Sequence, residues 1–256
     1  AELAWFSNEV TKNSKTTICA ELTADINLGG KAWSEFKISE YKYNDETSNY
    51  AGTFDGKYHT ITGLTGTSGL FDYIGKTGVV KNLIVEANIT TDTGHIGIIA
   101  NNASGTIENC WSKGYVSNSY NSCTVGGILG RGFSGIVITG CANTAEVKCT
   151  TTKYAVQTAV GGIVGYAPAA ITNCYNTGKI SSSANSQSSY GIGGLVGQLS
   201  SGGSIKNSYS AGTVTGPSRV GALVGQNSGT ISGSFYLSTA ASSGVGTGAS
   251  TGATAK

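Results

Sequence analysis

Two histidines and fourteen carboxylates are the conventional acid–base groups of this 256-residue chain, and the last carboxylate is Glu146. Glycoside hydrolysis needs a pair of carboxyl groups flanking the scissile bond, and cation-assisted lyase chemistry needs several carboxylate oxygens around a hard metal. The stretch after Glu146 supplies neither. His59, in KYHTI, reads as a strand residue, and His95 falls in the column of Val125 when the repeats described below are aligned, so both histidines read as structural. Asp25 in DINL and Asp55 in FDG stand where an aspartate commonly caps a turn. The many glycine clusters do not open helices, which excludes a phosphate cradle. No catalytic residue, cofactor or metal ligand is assigned.

The six cysteines are not arranged as CxxC pairs, so zinc has little support. Cys110, Cys141 and Cys174 recur at one repeat position and read as buried thiols acting as small apolar side chains. Cys123 and Cys149 lie in the polar inserts of successive repeats, a placement that allows a disulfide across coils, and Cys19 has no evident partner.

The elements that position these residues come from a repeated phrase. VGGILGRGFSGIVITGCANTAEV from Val125 returns as VGGIVGYAPAAITNCYNTGKI from Val160, IGGLVGQLSSGGSIKNSYSAGTV from Ile192 and VGALVGQNSGTISGSFY from Val220. Set on the second glycine of the pair, the copies fall at Gly97, Gly127, Gly162, Gly194 and, with alanine in its place, Ala222. A period of roughly 30 residues marks a solenoid whose units are stabilised by their neighbours. Short β-type runs bounded by Gly, Asn and Ser turns, without helical periodicity, describe a parallel β-helix, an all-β fold. Ile107, Ile138, Ile171, Ile205 and Ile231 share one column; Cys110, Cys141, Cys174, Ser208 and Ser234 share another that accepts only small side chains. Asn109, Asn173 and Asn207 form a third, suited to stacked amides and broken by Gly140 and Gly233. Strict alternation leaves Ile98, Ile128, Ile163, Leu195 and Leu223 on the face opposite Val125 and Leu129, an exposed apolar stripe unless the glycine pair forms a bulge, and simple burial is the preferred of the two readings.

Residues 1–95 read as an irregular N-terminal cap and early coils, with Trp5, Phe6, Trp33, Phe36, Phe54 and Phe71 supplying bulk; residues 96–238 as tandem repeats of the same β-helix; residues 239–256 as a polar tail or linker. A net charge of +2 without Lys or Arg runs argues against nucleic acid. No run approaches the ~20 apolar residues of a membrane span, and without a methionine the chain reads as a piece of something longer, with flanking domains.

The order DINL, GTFDGKYHTITGL, GLF, then tandem GG(I/L)(V/L)G with NCYNTG resembles the GLUG-motif proteins of bacteria, over nearly the whole chain. The resemblance implies a right-handed parallel β-helix of a bacterial surface or secreted protein, in an adhesin-like, extracellular setting, and carries no catalytic residues. The inserts 117–124, 148–159, 181–191 and 215–219 vary in length while the strands do not, and Tyr120, Tyr154 and Tyr190 stand in three of them as candidate binding residues, since tyrosine among Ser, Asn and Gly suits a recognition surface. The expected function is a non-catalytic binding module for a host surface or secreted protein, an immunoglobulin or glycoprotein, or a glycan. A β-helix carbohydrate-active enzyme and a passive stalk remain the alternatives.

Overall fold

The computed structural model describes residues 2–33, 35–42, 46–151, 157–184 and 190–256. One coil illustrates the plan. The chain runs through strand Thr106–Glu108, turns at Asn109, continues as Trp111–Asn118, passes through Thr124–Gly126, folds back into Leu129–Gly132, and begins the next coil at Val137–Thr139. Each strand pairs in parallel with its counterparts in the coils before and after, as Thr106–Glu108 does with Val79–Lys81 and Val137–Thr139. Among the described residues this stacking builds four sheets, here numbered first to fourth in the order the chain visits them, of eight, twelve, five and seven strands. The protein is a parallel β-helix. No helix among the described residues is long and apolar enough to cross a membrane.

Parallel pairing in a constant register places like residue over like, so one side-chain choice acts coil after coil; the pairing of Thr60–Gly66 with Ile84–Thr91 departs from this, its register shifting between Ile61 and Leu64. Ile107, Ile138, Ile171, Ile205 and Ile231 are register partners in the first sheet and all are buried. Phe54 and Val80 continue that column toward the N-terminus. The Cys/Ser column is buried too, and it needs more than smallness. The Cys141 thiol accepts from the Cys110 N–H (3.4 Å) and donates to the Thr139 carbonyl (3.4 Å). Ser208 Oγ accepts from the Cys174 N–H (3.1 Å) and donates to the Lys206 carbonyl (2.9 Å), and Ser234 repeats the pattern with Ser208 N–H and Ser232. A side chain here must donate and accept at once in little space, and Cys and Ser both can.

The asparagine column has a backbone origin. Asn82, Asn109, Asn173 and Asn207 have φ between 49° and 55°, and Gly140 and Gly233 fill the same turn at 63° and 52°. Asn and Gly are the residues that enter this left-handed region most readily, which is why they exchange there. Amide stacking occurs where the column starts: Asn109 Nδ2 donates to Asn82 Oδ1 (3.2 Å), and Asn82 Nδ2 to Asp55 Oδ1 (3.0 Å).

A second, fully buried amide ladder lies in the twelve-stranded sheet. Ser112 Oγ donates to Asn143 Oδ1 (2.7 Å), whose Nδ2 donates to Asn176 Oδ1 (2.7 Å). Each amide also closes its own turn, Asn176 accepting from the Gly178 N–H (3.1 Å) and donating to the Gly178 carbonyl (3.0 Å). This ladder explains the second glycine of the pair: a Cβ on Gly127 would lie 2.2 Å from Asn143 Oδ1, and one on Gly162 would lie 2.4 Å from Asn176 Cγ, whereas at the first glycine, Gly126 or Gly161, a Cβ would meet neighbouring backbone. The backbone of one segment and the amide of the next occupy the same space.

Several expectations shift. Gly97 is the register partner of Gly126, the first glycine of the pair, so Ile98 stands where the second glycine does and Ile99 is the counterpart of Ile128. His95 accordingly pairs with Thr124, and Ile96 takes the Val125 column. The apolar stripe is not exposed: Ile98, Ile128, Ile163, Leu195 and Leu223 are buried, because a corner at the glycine pair separates Val125 from Leu129 and alternation does not carry across it. Residues 239–256 are folded, with Val245–Gly248 pairing with Val224–Asn227 and Ala253–Ala255 with Ser234–Tyr236. The cap contains a helix, α1 (Glu2–Thr11), whose Leu3, Phe6, Ser7 and Val10 are buried at the i, i+3, i+4, i+7 spacing of one helical face. Phe6 packs on Tyr50 and Phe54, which both meet Phe71, so the aliphatic column ends in an aromatic plug; Trp5 points away and is 61 % exposed.

Ile171→Ala, in mid-stack with no side chain free to collapse into the gap, is expected to cost about 2 to 5 kcal/mol in a urea melt. Unchanged melting would remove the column from the core. Asn176→Ala takes the acceptor from the buried Gly178 N–H and the donor from the Gly178 carbonyl, and should cost about 1 to 3 kcal/mol by the same measurement.

Candidate functional site

The candidate site lies along the seam where the third and fourth sheets meet. The fourth-sheet strands Phe71–Ile74, Ala100–Ala103, Leu129–Gly132, Val164–Ala167, Val196–Leu199 and Val224–Asn227 stack in register. Their third residues form the column Tyr73, Asn102, Arg131, Tyr166, Gln198, Gln226. Every member is polar or aromatic, whereas the first-sheet column is aliphatic.

At the N-terminal half of the seam a cavity of about 320 Å³ is lined by Lys37, Tyr41, Asp72, His95, Asn101 and Asn102, among others. Asp72 Oδ2 accepts from Lys37 Nζ (2.8 Å) and the Tyr41 N–H (3.0 Å), and its Oδ1 accepts from Asn101 Nδ2 (2.9 Å). Asn102 Nδ2 donates to the Asp72 carbonyl (3.4 Å), while its Oδ1 is buried without a protein partner. His95 also borders a smaller cavity of about 40 Å³, which it shares with Ser122, Thr124, Arg131, Tyr166 and Tyr190.

Arg131 joins the two halves. Its Nη1 lies 3.2 Å from His95 Nε2, and its guanidinium lies 5.0 Å from the Phe133 ring centre and 5.6 Å from that of Tyr166. Its Nε is buried without a partner, and it forms no ion pair with a carboxylate among the described residues. Because guanidinium only donates, His95 Nε2 must carry the lone pair, and Nδ1–H donates to Thr124 Oγ1 (2.8 Å). Burial, with the Arg131 charge adding to it, lowers the His95 pKa to about 4, so the ring is neutral at neutral pH. Aromatic rings flank the seam on both sides: Tyr41 stacks on Tyr73 (5.3 Å) and Tyr73 meets Phe133 (5.5 Å), while Tyr166 meets Tyr190 (5.3 Å).

Of the three tyrosines singled out by sequence, Tyr190 belongs to this seam. Tyr120 sits on the turn after strand Trp111–Asn118, its N–H held by Asn118 Oδ1 (2.8 Å), and does not line the seam cavities. Tyr154 lies outside the described residues. Asp55 caps its turn, accepting from the Lys57 N–H (2.9 Å), whereas Asp25 reaches across to the next coil, accepting from the Thr60 N–H (2.8 Å) with His59 3.2 Å away, and so does not cap a turn through this bond. The Thr60 N–H, with His59 after it, holds the Asp25 carboxyl below its ordinary pKa; for Asp55 burial is the largest single influence and acts upward, and the Lys57 N–H, the Asn82 amide and the Lys57 and Lys81 charges together outweigh it.

Cys123 and Cys149 do meet, as buried free thiols with sulfurs 3.3 Å apart and no bond between them. The hydrogen bond that Cys123 donates pushes its own pKa up and lowers that of Cys149 to about 7. Cys19 accepts from the Thr53 N–H (3.3 Å).

Sequence reading missed Arg131, Tyr166 and the Asp72–Asn101 cluster. The signal for the first two was present: in VGGILGR, VGGIVGY, IGGLVGQ and VGALVGQ the residue after the last glycine is the one polar or aromatic position of an otherwise Gly-and-apolar phrase. A larger cavity of about 770 Å³ between α1 and the first coil is lined by Leu3, Trp5, Phe6, Ala20, Leu22 and Ile26 among others. It is the end of the stack, where strands Ala20–Glu21 and Ile26–Asn27 each pair on one side only.

Comparison with known proteins agrees with this architecture. The family model "The GLUG motif" matches residues 157–181 and 188–215, so the chain carries GLUG repeats. Halomucin of Haloquadratum walsbyi is 28 % identical over 126 residues, covering 46 % of this chain; the match spans 1 % of that protein's length. A Bacteroides ovatus crystal structure, provisionally named an immunoglobulin A1 protease, superposes with a TM-score of 0.68 at 23 % identity, covering 94 % of this chain and 78 % of the other. At that identity the likeness establishes the fold alone.

His95 provides a test of the seam. Its folded pKa of about 4 lies below the ordinary 6.5, so the unfolded chain takes up a proton between those values that the folded chain refuses. Stability from this group is complete above pH 6.5 and falls progressively toward pH 4, by on the order of 1.4 kcal/mol per unit of pKa difference. An NMR titration should place the His95 midpoint near 4, and His95→Gln should flatten this limb of the stability profile. A midpoint near 6.5 would mean the ring is solvated and the Arg131 contact absent.

Proposed function

We propose that this chain is a non-catalytic binding segment of a larger bacterial surface or secreted protein, holding a macromolecule of the cell's surroundings along the lateral face of its β-helix. The observation that carries the reading is the seam itself: a line of rings, a guanidinium without a carboxylate partner and a buried unpartnered amide oxygen, set on a rigid stack. A solenoid holds such groups at fixed separations, so binding requires little ordering of the frame. The GLUG repeats and the likeness to part of Halomucin support a surface or secreted location. The name of the Bacteroides ovatus protein supports including an immunoglobulin among the candidate partners, beside host glycoproteins and glycans.

That name also favours an enzymatic reading. Against it, Asp72, the carboxylate lining the seam, already accepts three hydrogen bonds, from Lys37, the Tyr41 N–H and Asn101, which stabilise its charge and leave one of about four acceptor sites, and the His95 Nε2 lone pair is taken by Arg131. A general base must have a free lone pair within reach of the proton it abstracts. Incubation with immunoglobulin A, mucin and a polysaccharide panel, followed by co-sedimentation and by electrophoresis of the ligand, separates the readings. The expected result is retention of a ligand with its length unchanged. Cleavage abolished by Asp72→Asn would establish the enzyme instead, and retention of no member of the panel would favour a stalk.

A further inference from the structure

We propose that the seam between the third and fourth sheets is a site for an acidic saccharide, a glycan bearing hexuronate or sialate carboxylates, with Arg131 receiving the carboxylate. This deepens the lateral-face reading above and rests on it.

Arg131 is the first reason. A guanidinium presents a planar fork suited to two parallel hydrogen bonds with a carboxylate, and it tolerates partial desolvation better than an ammonium does. Here the fork is held between Phe133 and Tyr166, tethered at Nη1 by His95, and left with a buried Nε that no protein atom satisfies. Buried polar groups are nearly always partnered, so an unpartnered charged donor marks the place of an absent acceptor. The nearby Lys37 is already paired with Asp72, leaving Arg131 as the cation of the seam available for an anion.

Asn102 is the second reason. It is 5 % exposed, its Oδ1 has no partner, and it faces the 320 Å³ cavity as the register partner of Arg131 in the preceding coil. An acceptor adjoining a carboxylate site is what a hydroxylated ligand needs and a hydrocarbon does not. Gln198, the register partner of Tyr166 in the following coil, likewise has a buried Oε1 without a partner.

The rings and the repeat give the third reason. The C–H faces of a pyranose pack on aromatic faces, and Tyr41 and Phe133 on one side of Arg131 and Tyr166 and Tyr190 on the other offer them, with the buried Tyr73 supporting the first pair from beneath. Adjacent coils are separated by about 4.8 Å, close to the length of one sugar unit in an extended chain. A linear glycan laid along the stack thus meets Asn102, Arg131, Tyr166 and Gln198 in succession, one per coil. Nucleic acid fits poorly, because one unpaired guanidinium cannot balance a phosphate at every step.

The test uses the full chain in microcalorimetry or co-sedimentation against polygalacturonate, hyaluronan and a polysialic acid as carboxylated probes, dextran sulfate as a sulfated one, and dextran as a neutral one. At least one carboxylated probe should bind, weaken with added salt, and shift the His95 ring resonances; which probe binds distinguishes uronate from sialate. Arg131→Gln should weaken it at least tenfold, Arg131→Lys should restore only part, and Tyr166→Ala should weaken it where Tyr166→Phe does not. Tyr120→Ala should leave it unchanged. Circular dichroism and thermal melts identify any variant that fails to fold, and Tyr166→Phe together with Arg131→Lys keeps the test informative if the harsher variants do. Equal binding of dextran, binding of dextran sulfate alone, or binding indifferent to Arg131→Gln in a folded variant would overturn the proposal. If no carboxylated probe binds but an immunoglobulin or mucin is retained independently of Arg131, the acidic-saccharide site falls and the lateral-face reading survives; if nothing is retained, both fall.

Discussion

The structure depends on parallel backbone pairing between successive coils without slippage. Parallel strands alone would tolerate displacement by one or two residues, and what prevents it is that several columns must coincide together. A shift by one residue would take Ile171 out from between Ile138 and Ile205, separate the Cys174 N–H from Ser208 Oγ, and take the left-handed Asn and Gly turns out of line with one another. A shift would also drive a side chain into the space that Asn143 and Asn176 occupy beside Gly127 and Gly162. Apolar burial, turn geometry and buried hydrogen bonding therefore select one register, each by a different mechanism. The composition follows from this: glycine where backbones or amides approach closely, small hydroxyls and thiols where a donor and acceptor must share one narrow column, and few charges because most of each coil faces the interior or a neighbouring coil.

Much of this was legible in the chain. The isoleucine and Cys/Ser columns could be read because the repeats are aligned by their own glycine pairs, and the structure places those residues in register. What escaped shares one cause: periodicity reports position along a repeat, and it does not report where the chain turns a corner. Alternation counted through the glycine pair left both an exposed and a buried reading open for Ile128 and Leu223, of which burial holds, and aligning Gly97 with the wrong glycine moved His95 into its neighbour's column. The asparagine column was recognised, but a pattern of Asn and Gly looks the same for an amide ladder and for a left-handed turn; the positive φ values decide it. Helix α1 is too short and too rich in aromatic and β-branched residues for propensity to announce it, although Leu3, Phe6, Ser7 and Val10 carry its spacing. The final coil was hidden because small polar residues resemble a linker when no neighbouring strand is considered.

The seam was the least legible part for a related reason. Loop tyrosines attract attention because they interrupt small polar inserts, whereas Arg131 and Tyr166 sit inside the most regular phrase of the repeat, where each looks like an incidental variation. Stacking turns such variations into a column, and the column into a surface that differs from coil to coil on a constant frame. This is how a solenoid separates stability from recognition: the inward and corner positions are held uniform, and the outward position after the glycine phrase is free to change.

Native-state hydrogen exchange, resolved by residue, tests the register account most directly, because it reads the coil-to-coil bonds themselves. The account predicts the slowest exchange at amides within the stacked columns of the central coils, among them Ile138, Ile171, Cys174 and Ile205, opening together at close to the global unfolding free energy, with the amides of the polar inserts exchanging far faster. Uniformly rapid exchange through the central coils, or protection confined to α1 and the first coils, would contradict it.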